Sequence, residues 1–210
     1  MNIMSSFRQS VFDIYRLTYS FQLSYIRTRT ELPIILNKRG LTGQGAEVGI
    51  WKGQFSDFLL SKWKGNTLYS VDPWRSFSKE EYIDEMNISQ KEFDEIYESV
   101  TQLLHPYGKR SEIVRDDSVH ASERFQHNSL DFVYLDGRHH YEGVKEDIEY
   151  WYPKVKPGGL FCGHDYLDAI IGETHFGVKQ AVDEFAKKNN YKVLVTDKDE
   201  YPSWFIIKAK

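Results

Sequence analysis

The sequence predicts an α/β protein built on a doubly wound, mostly parallel sheet. From residue 45 onward, short apolar runs typical of buried strands alternate with segments that carry apolar residues at helical spacing. Such alternation is typical of a parallel sheet with helices on both faces. The last two apolar runs, residues 191–196 and 204–208, have no helix between them and are expected to form an antiparallel hairpin.

Five runs are assigned to the parallel strands: residues 46–50, 67–72, 112–115, 130–135 and 160–162. The fourth run is nearly all apolar, as a strand covered on both faces should be. Helices are predicted after the first, fourth and fifth strands from the spacing of Phe55, Phe58, Leu59 and Trp63, of Tyr141, Val144, Ile148 and Trp151, and of Val178, Ala181, Val182 and Phe185. We therefore expect a Rossmann-like, doubly wound, seven-stranded sheet whose last strand is antiparallel.

The predicted organisation is an N-terminal helical extension, residues 1–42, followed by the α/β domain, residues 43–210. The extension carries an aromatic-rich stretch, residues 7–26, that is compatible with a helix. It could form part of a substrate pocket or a homodimer contact. The domain carries an acidic helical insertion at about residues 75–105. Its amphipathic stripe consists of Phe93, Ile96, Tyr97, Val100, Leu103 and Leu104.

Composition excludes several classes of protein. The 210 residues carry a formal net charge of −4, whereas a nucleic-acid binder normally shows a basic surplus. The one cysteine, Cys162, excludes an intramolecular disulfide and is expected to be a small core residue. Apolar runs are too short for a membrane span, and the first 30 residues lack the pattern of a signal peptide. We expect a cytoplasmic protein with neither nucleic acid nor membrane as partner.

Residues 47–53, EVGIWKG, follow the form acid-x-Gly-x-x-x-Gly at the end of the first strand. Glycines there let the backbone approach a ligand, and ligands in such sheets bind beyond the carboxyl ends of the strands. The pattern is not the dinucleotide fingerprint, because an acid occupies the strand end. This disfavours an NAD-dependent oxidoreductase. Glu47 suits a cationic ligand group, and the alternative is a structural turn with a chance acid.

Asp72 ends the second strand, where doubly wound folds place an acid on ribose hydroxyls. The alternative is a cap for the turn before Pro73. Together, Glu47 and Asp72 indicate a nucleoside ligand without a pyrophosphate.

These residues carry a family resemblance. The sequence resembles the class I S-adenosylmethionine-dependent methyltransferases, and within them the macrocin-type small-molecule and sugar O-methyltransferases. The resemblance rests on residues 46–53, on residues 71–72, on residues 116–118 and on the block DFVYLDGRHHYEGVKEDIEYWYPKVKPGGLFCGHDY, residues 131–166. It covers about residues 43–208, and the last block is its most specific part.

The resemblance implies S-adenosyl-L-methionine as cofactor. Glu47, Gly49 and Gly53 would then contact the methionine portion, and Asp72 would bind the ribose. Asp117 and Ser118 match the adenine side, although either Asp116 or Asp117 could face the ligand.

The catalytic interpretation centres on Asp136, His139 and Asp165. Asp136 and Asp165 end neighbouring parallel strands, so both carboxylates should reach one edge and suit Mg²⁺. His139 is the natural general base near neutral pH. His164 could ligate a softer metal, orient Asp165 or simply pack. The alternative role for Asp136 and Asp165 is turn capping at the strand ends. His140 is expected at the start of a helix.

The leading hypothesis is therefore methyl transfer from S-adenosylmethionine to a hydroxyl of a small molecule, with sugars among the candidate acceptors. Asp136 and His139 would be catalytic, and Asp136, Asp165 and His164 would hold the metal. The alternatives are a metal-independent methyltransferase, an N-methyltransferase and an inactive nucleoside-binding scaffold on the same fold.

Overall fold

A computed structural model describes residues 25–78, 87–172 and 174–210. The strands of its main sheet are β1 (Gln44–Val48), β2 (Thr67–Asp72), β3 (Ser111–Arg115), β4 (Leu130–Leu135), β5 (Val155–Gly163), β8 (Leu194–Val195) and β9 (Trp204–Ile207). These seven strands lie in the order β3-β2-β1-β4-β5-β9-β8. Strands β1 to β5 pair in parallel, and β9 is antiparallel to both β5 and β8. The predicted sheet is confirmed.

Six helices of the described residues accompany the sheet. They are α1 (Leu32–Lys38), α2 (Gln54–Lys62), α3 (Gln90–Leu104), α4 (Ser118–Ser122), α5 (Tyr141–Trp151) and α6 (Val178–Asn189). Short 3₁₀ turns lie at Arg29–Glu31, His105–Arg110 and Tyr152–Lys154. His140 is the N-cap residue of α5, as predicted.

The helices cover both faces of the sheet. One apolar cluster joins Val48 and Val133 of the sheet to α5 and α6, through Ile148 and Val182 among others. A second cluster on the opposite face joins Phe132 and Tyr134 to α1, α2 and α3. All six residues of β4 are buried, which is why that run of sequence is almost entirely apolar. Cys162 lies in the second cluster as a buried core residue, as expected.

A small antiparallel hairpin, β6 (Asp168–Ile171) and β7 (Thr174–Gly177), follows β5 and was not predicted. Its strands form a separate two-stranded sheet. Ile170 and Ile171 are exposed, so the hairpin lacks the alternation between buried and exposed positions by which strands are identified in a sequence.

The acidic insertion contains α3, whose amphipathic stripe is confirmed except at Leu103, which is exposed. Ser89 caps α3, because its side chain accepts a hydrogen bond from the Glu92 N–H while the Glu92 carboxylate accepts one from the Ser89 N–H. Phe93, Val100 and Leu104 are buried. A Cβ on Gly53 would lie 3.2 Å from Cγ1 of Val100, so α3 packs directly against the loop that follows β1.

The aromatic helix predicted over residues 7–26 falls almost wholly outside the described residues. Its predicted end is wrong, since residues 25–28 are not helical. This segment instead lies against the loop between β8 and β9. The Lys198 N–H donates to the Arg27 carbonyl at 2.9 Å, and the Arg29 N–H donates to Asp199 Oδ2 at 2.8 Å.

None of the helices within the described part of the chain is both long and apolar enough to cross a bilayer.

Candidate active site

The site lies at the carboxyl ends of the parallel strands, where four acidic residues follow or end neighbouring strands. Glu47 lies in β1, Asp72 ends β2, Asp136 follows β4 and Asp165 follows β5. This edge is where open α/β sheets bind ligands. The topology therefore brings together the acids that the sequence singled out.

The loop after β1 is held tightly against the loop after β4. Gly49 has a φ of +84°, and a Cβ there would lie 2.2 Å from the Cα of Gly137. Because the two backbones touch, no larger side chain fits at Gly49. Gly53 has a φ of +75° and directly precedes α2. Trp51, between these glycines, also has a left-handed conformation, with a φ of 51°.

Asp72 braces this loop. Its Oδ2 accepts hydrogen bonds from the backbone N–H groups of Ile50 at 3.1 Å and Trp51 at 2.9 Å, and its Oδ1 accepts one from Trp74 at 2.9 Å. Burial raises the pKa of Asp72, and these backbone hydrogen bonds oppose the rise. Each carboxylate oxygen has two lone pairs, so Oδ1 can accept a further hydrogen bond.

Glu47 is buried between the sheet and α2, with 1% of its surface exposed. Its Oε2 accepts a hydrogen bond from Ser56 Oγ at 2.6 Å, and the two hydroxyls of Ser56 and Ser70 lie 2.9 Å apart. Burial raises the pKa of Glu47 to about 8, although the Ser56 hydrogen bond and the charge of Arg29 oppose this rise. A cation placed beside Glu47 would favour its ionised form.

Asp136, His139, His164 and Asp165 form one cluster, which we call the Asp–His cluster. Nε2 of His139 lies 3.2 Å from Asp165 Oδ2, and Nδ1 of His164 lies 2.9 Å from Asp165 Oδ1. Nδ1 of His164 is also 3.6 Å from Asp136 Oδ1. Asp165 has a φ of 52°, a conformation that a non-glycine residue seldom adopts. The residues predicted to be catalytic or metal-binding thus lie together.

The two carboxylates of the cluster differ electrostatically. Burial raises the pKa of Asp136 to about 6, and the charge of His164 opposes the rise. Burial would also raise the pKa of Asp165, but hydrogen bonds from His139 and His164 outweigh it and hold that pKa below its usual value. Asp165 is therefore the ionised partner of the two histidines.

The cluster offers a suitable set of ligands for a divalent cation. One ligand atom each from Asp136, His139 and Asp165 lie within 4.8 Å of one another. The cavity beside them is also lined by Trp204, whose buried indole N–H has no partner among the described residues. An unpaired donor there suits the oxygen of a water or of another ligand. Carboxylates and imidazole with room for an oxygen ligand fit a divalent metal.

The predicted adenine-side residues lie apart from this cluster and have local partners. Asp117 is exposed and caps α4, since its Oδ1 accepts a hydrogen bond from the His120 N–H at 3.0 Å. The Ser118 hydroxyl donates to Asp147 of α5 and accepts a hydrogen bond from Trp151 Nε1. Asp116 pairs with His120. The Ser118 hydroxyl therefore serves the packing of α4 on α5.

Arg29 belongs to the site and was missed from the sequence. Its Nη1 lies 3.3 Å from Asp136 Oδ2, and its guanidinium carbon lies 4.7 Å from the centre of the Phe55 ring. No local motif could reveal this residue, because Arg29 and Asp136 are 107 positions apart in the chain.

The β6–β7 hairpin contacts the same edge. The Gly177 N–H donates to the His139 carbonyl at 2.8 Å, and the Phe176 and His139 rings lie 5.1 Å apart. The Tyr201 ring lies 6.3 Å beyond Phe176. The rings of His139, Phe176 and Tyr201 therefore lie next to one another in this order.

Comparisons with known proteins agree with this fold. It is the fold of the class I S-adenosylmethionine-dependent methyltransferases. Residues 46–166, more than half of the chain, match the Methyltransf_24 family, described as a methyltransferase domain. The chain belongs to this family, and the methyltransferase resemblance seen in the sequence is confirmed.

Solved structures with the same fold have varied descriptions. A candidate caffeoyl-CoA O-methyltransferase from Staphylococcus aureus aligns with a TM-score of 0.61 and 15% identity, covering 93% of this chain and 91% of that one. TomG, an O-methyltransferase of tomaymycin synthesis from Streptomyces achromogenes, aligns at 0.60 and 12%, covering 86% and 79%. An rRNA methylase from Streptococcus thermophilus aligns at 0.54 and 12%, covering 92% and 95%. At these identities the likeness shows the fold alone.

A curated relative, the uncharacterized protein y4gI of Sinorhizobium fredii (strain NBRC 101917 / NGR234), is 30% identical over 118 residues. The match covers 56% of this chain and only 12% of that much longer protein.

Proposed function

We propose that this methyltransferase domain transfers a methyl group from S-adenosylmethionine to a hydroxyl of a small molecule, with a sugar hydroxyl as one acceptor class. The observation that carries the proposal is the Asp–His cluster. It lies on the same sheet edge as Glu47 and Asp72 and so combines cation ligands with a candidate base. Catalysis then requires alignment of donor and acceptor and removal of the hydroxyl proton.

The cofactor would lie along the loop after β1. Glu47, Gly49 and Gly53 would contact its methionine portion, because Glu47 suits a cationic group and the glycines let the backbone approach the ligand. Asp72 would accept a ribose hydroxyl on Oδ1. On the adenine side, Asp117 could contribute its carboxylate, whereas Ser118 would contribute its backbone N–H because its hydroxyl is already engaged.

Asp136 and Asp165 would hold the divalent cation, Mg²⁺ in the first instance, with His164 beside them. A cation held there supplies Lewis acidity that lowers the pKa of an acceptor hydroxyl. His139 would take the hydroxyl proton on a ring nitrogen. Asp165, 3.2 Å from Nε2 of His139, would stabilise the resulting imidazolium.

Calorimetric titration tests the cofactor. We expect the purified protein to bind S-adenosylhomocysteine but not NAD, and we expect Mg²⁺ to produce its own binding heat. If S-adenosylhomocysteine does not bind with or without Mg²⁺, the roles given to Glu47 and Asp72 are wrong, and an inactive scaffold becomes the better interpretation.

Two variants test the catalytic residues. Asp136→Asn, which removes a proposed metal ligand, and His139→Ala, which removes the proposed base, should each lower methyl transfer to any accepted hydroxyl compound at least a hundredfold. A general base alone contributes about 10²–10⁴-fold, and loss of the cation would remove its Lewis acidity. The affinity for S-adenosylhomocysteine should change by less than about threefold. His127→Ala, an exposed histidine outside the site, is the matched control. Equal losses of cofactor binding and turnover would contradict these roles, and full activity after chelation would favour the metal-independent alternative.

The net charge of −4 favours a small-molecule acceptor over a nucleic acid, although one structural neighbour is described as an rRNA methylase. The homodimer and the cytoplasmic location stay predictions.

A further inference from the structure

Arg29 presents a guanidinium to a part of the site that is otherwise acidic. It lies beside Asp136 and close enough to Glu47 for each charge to affect the other's protonation. Its flat face rests on Phe55, in the first turn of α2 and two residues after Gly53. The guanidinium therefore lies where the β1 loop, α2 and the Asp–His cluster meet.

Among the described residues, the partners of this guanidinium leave part of its hydrogen-bonding capacity for a ligand. An arginine has five N–H donors, of which one meets Asp136 at the long distance of 3.3 Å, and the Tyr134 hydroxyl is a second partner. Arg138, near the same cavity, differs because its nitrogens bind Glu146 and Asp147 of α5. Arg29 is thus a pre-positioned cation that can accept a planar, bidentate anion.

Anchoring the N-terminal segment does not require this side chain. Backbone groups already hold the segment, through the Lys198 N–H on the Arg27 carbonyl and the Arg29 N–H on Asp199. The Tyr25 hydroxyl adds a hydrogen bond to Asp197. The position of the guanidinium therefore needs another explanation, and the groups that it faces provide one.

We propose that Arg29 binds the carboxylate of the cofactor's methionine portion, an inference that rests on the function proposed above. The methionine portion carries an ammonium and a sulfonium, which suit Glu47 and its acidic neighbours, and a carboxylate, which those acids would repel. A guanidinium beside Glu47 completes a site for this zwitterion. Residues 25–31 then form one wall of the cofactor site.

The test compares S-adenosylhomocysteine with its decarboxylated analogue by calorimetry. The wild-type protein should prefer S-adenosylhomocysteine by about ten- to a hundredfold, the usual value of a charge-assisted hydrogen bond. Arg29→Ala should lose that preference, because the affinity for S-adenosylhomocysteine falls while the affinity for the analogue stays within about threefold. Arg29→Lys should recover part of the preference. Arg27→Ala, which removes an exposed arginine of the same segment, should behave as wild type.

This role for Arg29 would be overturned if the wild-type protein bound both ligands with equal affinity. It would also be overturned if Arg29→Ala kept the wild-type preference, whether its affinities for the two ligands stayed unchanged or fell by the same factor. If Arg29→Ala does not fold, Arg29→Gln, which has a stem shorter by one methylene and keeps two N–H donors without the charge, answers the same question. A wild-type protein that binds neither ligand would overturn the proposed function together with this inference.

Discussion

At the residue scale, Glu47 is a buried carboxyl group whose surroundings disfavour its ionised form. Its carboxylate accepts a hydrogen bond from the Ser56 hydroxyl, which also meets the Ser70 hydroxyl, and the charge of Arg29 acts on it from nearby. With a pKa near 8, most of the carboxyl is protonated at neutral pH. A cationic ligand beside Glu47 would favour ionisation, so binding should release a proton there.

The raised pKa of Glu47 predicts how stability depends on pH. The folded state keeps a proton that the unfolded chain loses above its usual pKa of 4.5. The contribution is therefore fully present below about pH 4.5 and is lost as the pH rises through about 8. Glu47→Gln should remove this loss, which is on the order of a few kcal/mol at about 1.4 kcal/mol per pKa unit.

Chemical denaturation at pH 5, 7 and 9 measures the effect. Between pH 5 and 9, the free energy of unfolding should fall more in the wild type than in Glu47→Gln. Glu112→Gln, an exposed glutamate on β3, is the matched control and should follow the wild type. Parallel curves for all three proteins would show that Glu47 titrates normally.

Individual site residues differed in how well the sequence could reveal them. Asp136, His139 and Asp165 were predicted because they follow strongly apolar strands, and parallel strands bring such ends together. The sequence indicates a turn cap as one role of Asp72, but its two hydrogen bonds to the β1 loop depend on tertiary contacts that the sequence does not show. Arg29 could not be found, since its partners lie far along the chain.

At the scale of elements, Arg110 secures the end of α2. Its guanidinium donates to the carbonyls of Leu60 at 3.0 Å and Gly65 at 3.1 Å, and also to Trp63. The Leu60 carbonyl is among the last four of the helix, which have no partner within it. Since α2 begins at the loop after β1, Arg110 helps to fix the helix that supports Glu47 and Phe55.

Arg110→Ala should lower the free energy of unfolding by about 2 kcal/mol, because it leaves half-buried carbonyls without a charged donor. Lys109→Ala, which removes the exposed neighbouring charge, should change it by less than about 0.5 kcal/mol. Urea denaturation of both variants measures the difference. Equal stabilities would mean that water replaces the guanidinium at no cost.

The elements of the main sheet were predicted because continuous apolar runs require burial on both faces. The β6–β7 hairpin shows where this reasoning fails. Its residues are largely exposed, and it is positioned by contacts such as the hydrogen bond from Gly177 to His139. A segment that does not pack into the core leaves little periodicity in the sequence.

At the scale of the whole molecule, ligand binding at the sheet edge should stabilise the entire fold. The loops after β1, β2, β4 and β5 converge there, so a ligand bound to them links most of the parallel strands. At a hundred times its dissociation constant, S-adenosylhomocysteine should add about 2.7 kcal/mol. The thermal midpoint should then rise by roughly 5–10 °C for a domain of this size.

Differential scanning fluorimetry with S-adenosylhomocysteine, and with NAD as the control ligand, measures this rise. An equal rise with NAD would show that the site does not discriminate against dinucleotides. That result would contradict the prediction made from the missing dinucleotide fingerprint.

The position of β9 also constrains how the protein is made. Strand β9 lies between β5 and β8, and its residues Trp204, Phe205 and Ile206 are at most 1% exposed. A nascent chain on the ribosome therefore cannot close this side of the sheet until residue 207 has left the exit tunnel. Until then β5 has an open, apolar edge, which is the kind of surface that chaperones bind and that aggregates form through.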